Sequence, residues 1–137
     1  MKSKQVLDVQ QMQHLQELGL KLDYNTMLSW IVDERGKDKP LLCISSEAVD
    51  YVDFSHYCLP AYTLQDVLDA LPDFIDEYSL IIDISFGVIR YDNLKWKDSP
   101  ILKEAYFNDE DKYLIDAAYE LLVCCVENKF VETNKNE

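Results

Sequence analysis

The strongest constraint on the fold comes from a single apolar segment near the end of the chain. From about Asp109 to Asn128 the spacing predicts one long helix. On it Leu114, Ile115, Ala118 and the run Leu121–Val126 cover most of the circumference, and the polar Asp116, Glu120 and Glu127 share one narrow face. A helix this apolar must sit at the centre of its own domain or bury a second face in an oligomer, so Leu121–Val126 is also the candidate homodimer contact. Asn108 or Asp109 is the expected N-cap, with Glu110 and Asp111 at the positive end of the helix dipole and Lys129 near the negative end.

The remaining segments must wrap around that helix. Asp8 caps a first helix over Val9–Leu18, with Val9, Met12, Leu15 and Leu18 on one stripe and Gly19 as its stop. Met27–Val32 and Leu41–Ile44 read as a hairpin around a polar loop centred on Gly36, followed by a loop from Ser45 to Ala61. Thr63 begins a second helix, with Asp66 placed to answer it and Tyr62 placed to staple onto Val67. Helical spacing runs on through Pro72 to Tyr78, so a kink or a break is expected at Pro72. Leu80–Ile84 and Val88–Asp92 flank Ser85, Phe86 and Gly87 as a tight hairpin in preference to one strand with a bulge. The expected fold is α+β, in the order α-β-β-α-β-β-α. Its two hairpins form one antiparallel sheet of about four strands, the first and last helices lie on one face, and the middle helix bridges the hairpins. Residues 98–107 suit either a loop or an added edge strand.

A length of 137 residues with 48% hydrophobic content suits one domain, 1–137, without disulfides or a structural metal, and the polar tail 132–137 is expected to fray. No linker, repeat or signal-type apolar region is visible, and the longest apolar run falls far short of the roughly 20 residues that cross a bilayer. A cytoplasmic protein with four reduced cysteines follows, and no membrane association is expected. His14 and His56 are far apart, and no Cys-x-x-Cys unit, Walker loop or Gly-x-Gly-x-x-Gly occurs, so neither a metal nor a cofactor is expected.

Charge narrows the partner class. The formal net charge is −13, and from Pro40 to Ile89 nine acidic residues stand without a single Lys or Arg. Such a surface repels nucleic-acid phosphates and favours a basic protein partner, or solubility alone.

The run Pro60–Pro72, with Thr63-Leu64-Gln65-Asp66 at its heart, and the run Ile115–Leu122 continuing to Glu127-Asn128 resemble small uncharacterised proteins of Bacteroides-type gut bacteria and their prophages. The resemblance covers about half the chain and implies a source and an architecture of two hairpins and capped helices; it implies no activity. Where those relatives often carry Asn-Gly, this chain has Asn128-Lys129, a weaker helix stop.

Three constellations could carry chemistry or binding. Asp53, His56 and Cys58 place a carboxylate, a base and a nucleophile in one segment, as a small cysteine hydrolase needs, although such groups are usually assembled from distant parts of a chain. Asp66, Asp69, Asp73 and Asp76 fall at spacings of three, four and three, which on an unbroken helix would align four carboxylates as a DNA-like stripe or as an ordinary solvated face. Trp96, between Lys95 and Lys97, is the candidate aromatic anchor. The leading expectation is a non-enzymatic accessory protein of phage or mobile-element type that binds a protein through an acidic face or the apolar last helix. The alternatives are a self-assembling structural subunit and a cysteine hydrolase using Cys58 and His56.

Overall fold

The computed structural model describes residues 4–93, 101–109 and 111–133. It is an α+β arrangement of α1 (Val9–Glu17), β1 (Leu28–Asp33), β2 (Leu41–Ile44), α2 (Ser45–Ala48), β3 (His56–Pro60), α3 (Leu64–Ala70), β4 (Phe74–Ile75), β5 (Tyr78–Asp83), β6 (Val88–Asp92), β7 (Lys103–Tyr106) and α4 (Leu114–Glu127). The expected single sheet is replaced by two antiparallel sheets, one of three strands in the order β2-β1-β3 and one of four in the order β4-β5-β6-β7. Both hairpins form, but instead of joining each other the first recruits β3 and the second recruits β4 and β7.

Local capping explains the helix starts. Asp8 accepts the Gln11 backbone N–H at 2.8 Å while Gln11 Oε1 accepts the Asp8 N–H at 3.0 Å, a reciprocal box at the start of α1. Thr63 and Asp66 do the same for α3, and the buried Tyr62 and Val67 join one core cluster beside them. The chain breaks at Pro72: α3 ends at Ala70, and Leu71 is extended at ψ 137°, as the residue before a proline prefers. The buried Tyr91 phenol donates to Pro72 O at 2.6 Å and holds the break against β6.

β3 occupies the segment expected to be loop. Its pairing with β1, Asp33 opposite His56 and Ile31 opposite Cys58, depends on a partner more than twenty residues away and leaves no local period to read. Within the segment 98–107, β7 adds an edge strand over Lys103–Tyr106, and residues 98–100 lie outside the described residues. Phe107 N–H donates to Gly87 O at 2.7 Å, and Asn108 lies so close to Gly87 that a Cβ there would stand 2.5 Å from the Asn108 Cβ. That docking occupies Asn108, so α4 starts at Leu114 with no side-chain cap, later than the expected cap at Asn108 or Asp109. Lys129 takes the left-handed position at φ 63° that glycine usually fills after a helix, and the Phe130 N–H closes onto Cys125 O at 2.8 Å.

The apolar circumference of α4 is spent inside the chain. Leu121, Leu122, Cys125 and Val126 are buried, and the helix packs on α1, α3, β6 and β7. Burial also pushes the Cys125 thiol up to about 11, as befits a packing group. A dimer closed by Leu121–Val126 therefore has only the half-buried Val123 and Cys124 left to cover. No helix among the described residues is long and apolar enough to cross a membrane.

Candidate functional site

Register assigns the two faces of the three-stranded sheet. Trp30, Val32, Tyr57 and Leu59 point into the core, and the opposite face carries Ile31 and Asp33 of β1, Leu41 and Cys43 of β2, and His56 and Cys58 of β3. The chain crosses over this outer face through α2, a 3-10 turn at Val49–Tyr51, and the loop to β3. Ser45 and Ser29 hydroxyls meet at 2.6 Å beneath the crossing, and Ala48 is buried against the sheet.

Asp33 organises the β1–β2 loop. Its carboxylate, with no exposed side-chain surface, accepts the backbone N–H groups of Arg35 (2.9 Å), Lys37 (3.2 Å) and Asp38 (2.9 Å) and the Arg35 Nε at 3.0 Å. The Arg35 guanidinium above all, helped by the backbone donors and opposed by burial, holds its carboxyl well below the usual range. The folded loop carries Asp38 to β3, where its Oδ2 lies 3.0 Å from His56 Nε2. On the other side Asp53 Oδ1 lies 2.9 Å from His56 Nδ1 and also accepts the Ser55 and His56 N–H groups. A carboxylate on each ring nitrogen favours the imidazolium form of His56, which donates to both. Asp53 and then Asp38 raise its pKa, and His56 in turn lowers the Asp53 carboxyl to about 2.

This geometry ties two loops together and leaves no free base. Cys58 lies on the same sheet face two residues along the strand, a separation of about 7 Å, and no hydrogen bond joins it to His56 among the described residues. The oxygen and nitrogen atoms of Asp33, Asp38 and His56 cluster within 4.8 Å of one another, a spacing that could enclose a metal ion. The donors do not fit one: Asp33 is saturated by Arg35 and three backbone N–H groups, and both His56 nitrogens are taken. The arrangement is a salt-bridge cage.

Beside the cage opens a cavity of about 430 Å³, walled by Ile31, Leu41 and Tyr51 and by the carboxylates of Asp38, Asp50 and Asp53, with Lys39 as a cation at its edge. Around it the surface is unusually apolar. Phe54 is fully exposed and Val49 is 74% exposed, and Tyr51, Val52 and Leu41 are also exposed.

Of the residues singled out in the sequence, Asp53 and His56 meet here. The four-carboxylate stripe does not form: Asp66 is engaged in the α3 cap, Asp69 accepts Gln65 Nε2 at 2.7 Å, and Asp73 and Asp76 lie beyond the break, Asp76 at φ 52° in the β4–β5 turn. Trp96 and Glu110 lie outside the described residues. Asp33, Asp38 and Asp50 were not singled out, because only the β1–β3 register brings the first two to His56; the alternation of Val49, Tyr51, Val52 and Phe54 with Asp50 and Asp53 was the one local signal available. Comparison with protein-family models, curated proteins and solved structures gave no match.

Proposed function

We propose that this chain is a non-enzymatic interaction protein that binds a basic protein partner through the surface formed by residues 38–56, in an accessory role of the kind that phages and mobile elements encode. The observation that carries this reading is the coincidence of unpartnered apolar side chains with carboxylates, two of which, Asp38 and Asp53, are held in place by His56. Phe54, Val49 and Tyr51 offer desolvation energy, and Asp38, Asp50 and Asp53 set the sign of the partner. The cage supports it further, since loops tied by His56 lose less conformational freedom on binding than free ones. Lys39 is the one lysine or arginine in the cavity wall, beside His56, and the chain after it carries no Lys or Arg until Arg90, so three carboxylates outnumber the cations there and favour a Lys or Arg of the partner.

The test places a photo-crosslinking phenylalanine derivative at position 54, with the same derivative at Phe86 on the other sheet as control, and purifies whatever is captured for titration. The expected partner is basic, binds at least about tenfold more weakly at high salt, and loses about 2 kcal/mol with Phe54→Ala. A purified partner indifferent to both salt and Phe54→Ala would overturn the reading.

A further inference from the structure

β2 is the outermost strand of its sheet, and no strand lies beyond it among the described residues. Its hydrogen-bond polarity follows from one contact: the Ser45 N–H donates to Met27 O at 2.8 Å, so alternation along the ladder turns Cys43 and Leu41 toward β1 and leaves the N–H and C=O of Leu42 and Ile44 directed outward. Edge strands normally carry a lysine or an inward charge to prevent pairing. Here Lys39 and Pro40 guard only the entry, and the strand itself is Leu41-Leu42-Cys43-Ile44, with Leu41 and Ile44 exposed.

We infer that the partner of the proposed surface enters as an extended segment that adds to the three-stranded sheet along β2, with basic and apolar residues alternating. The inference rests on the binding function proposed above and specifies its mode. Charge and register choose the occupant. An added strand would lie about 4.8 Å beyond β2. Its side chains on the outer face would stand beside Leu41 and Cys43, toward the cavity bounded by Asp38, Asp50 and Asp53 and near Glu47, whose charge acts on the Cys43 thiol. On that face a Lys or Arg is matched. Its alternate side chains would fall beside Leu42 and Ile44, where an aliphatic group covers the exposed apolar edge. Only two residues of β2 present outward backbone groups, so the backbone bonds set direction and register while the side chains supply much of the affinity.

Position 44 gives a clean test. Ile44 has φ −67°, which a proline adopts without strain, and its N–H makes no bond to β1, so Ile44→Pro deletes the outward donor and keeps the sheet, whereas Ile44→Ala shortens the side chain and keeps the donor. A fluorescent peptide of alternating lysine and valine is titrated into the wild type and both variants at low salt, with thermal melts confirming that each is folded. Amide exchange at residues 41–44 is followed with and without peptide. Strand addition expects slowed exchange at Leu42 and Ile44, and binding about tenfold weaker for Ile44→Pro than for Ile44→Ala. Equal binding by the two variants with unchanged exchange would overturn strand addition while leaving the binding surface standing. Failure of the peptide to bind at all would also overturn strand addition, and the crosslink at position 54 then decides the wider reading separately.

Discussion

Each sheet carries on its outer face a cation clasped by two carboxylates, and the two cations differ in kind. On the four-stranded sheet Arg90 reaches Asp92 at 3.0 Å and Asp83 at 3.7 Å; on the three-stranded sheet His56 reaches Asp53 at 2.9 Å and Asp38 at 3.0 Å. Exposure is alike, 20% for the Arg90 side chain and 19% for His56. Arg90 bridges neighbours on β5 and its own strand, so it reinforces hydrogen bonds already made. His56 bridges two loops that beyond Asp33 share one backbone bond, from the Glu34 N–H to Ser55 O at 2.7 Å, so its charge helps to position the rim of the cavity. A guanidinium does not titrate in proteins and an imidazolium does. One outer face therefore has a permanent clasp and the other a removable one.

The comparison holds only if the sheets share one cooperative core, and the largest effect tests that. Leu122 is fully buried in the cluster that contains Val32 and Leu59 of one sheet and Ile89 and Ala105 of the other. Leu122→Ala should destabilise the chain by about 2–5 kcal/mol, with protection lost together in β1 and β6 when amide exchange is followed in denaturant. Separate loss in the two sheets would mean that their surfaces respond to different unfolding events.

The two hairpin turns sharpen the contrast at an intermediate scale. Gly36 and Gly87 both have positive φ, 70° and 63°, but a Cβ at Gly36 meets nothing within 4 Å and one at Gly87 collides with Asn108. Gly36→Ala should cost about 1 kcal/mol of backbone strain. Gly87→Ala should add a further 1–3 kcal/mol or so of overpacking, because the Asn108 backbone, held through Phe107, has little room to retreat. Urea midpoints of the two variants measure the difference, and equal midpoints would show that the 107–109 segment yields easily.

What could be read in the sequence follows the same division between local and distant causes. Asp8 and Thr63 announced their helices because a cap acts on N–H groups within three residues. The breadth of α4 was visible because its period is local, and its interpretation as self-burial needed the strands it packs on. The division into two sheets was not legible, since β3 has five residues, ends in Pro60 and gains its identity only from pairing with β1. The candidate site divides likewise: Asp53 and His56 are three residues apart and were singled out together, while Asp38 arrives by way of the Asp33-organised loop and reversed the meaning of the pair. A histidine with one carboxylate suggests a catalytic base, and with a second on its other nitrogen it becomes a bridge.

The removable clasp gives the smallest and most specific effect. Carboxylates of Asp53 and Asp38 face the ring directly, Ser55 Oγ lies 3.1 Å from Nδ1, and Asp33 adds its charge from behind while paired to Arg35. The folded pKa of His56 is raised, so its stabilising contribution is fully present below the unfolded value of about 6.5 and is lost as pH rises through the higher folded value. Asp53 works in the opposite sense: its carboxyl is lowered to about 2, so its contribution is present above the ordinary carboxylate range and is lost as pH falls toward 2. The clasp is therefore complete between these limits and opens on the alkaline side first under ordinary conditions. The imidazole resonances of His56 should titrate with a midpoint above 6.5, and Asp53→Asn should bring that midpoint down. Arg90→Gln should leave it unmoved. His56→Gln should abolish the alkaline loosening of the 34–39 and 52–55 loops in amide exchange while the four-stranded sheet exchanges as before. A midpoint at or below the ordinary histidine value would mean that the two carboxylates do not hold the proton, and the distinction between the two faces would then rest on their apolar residues alone.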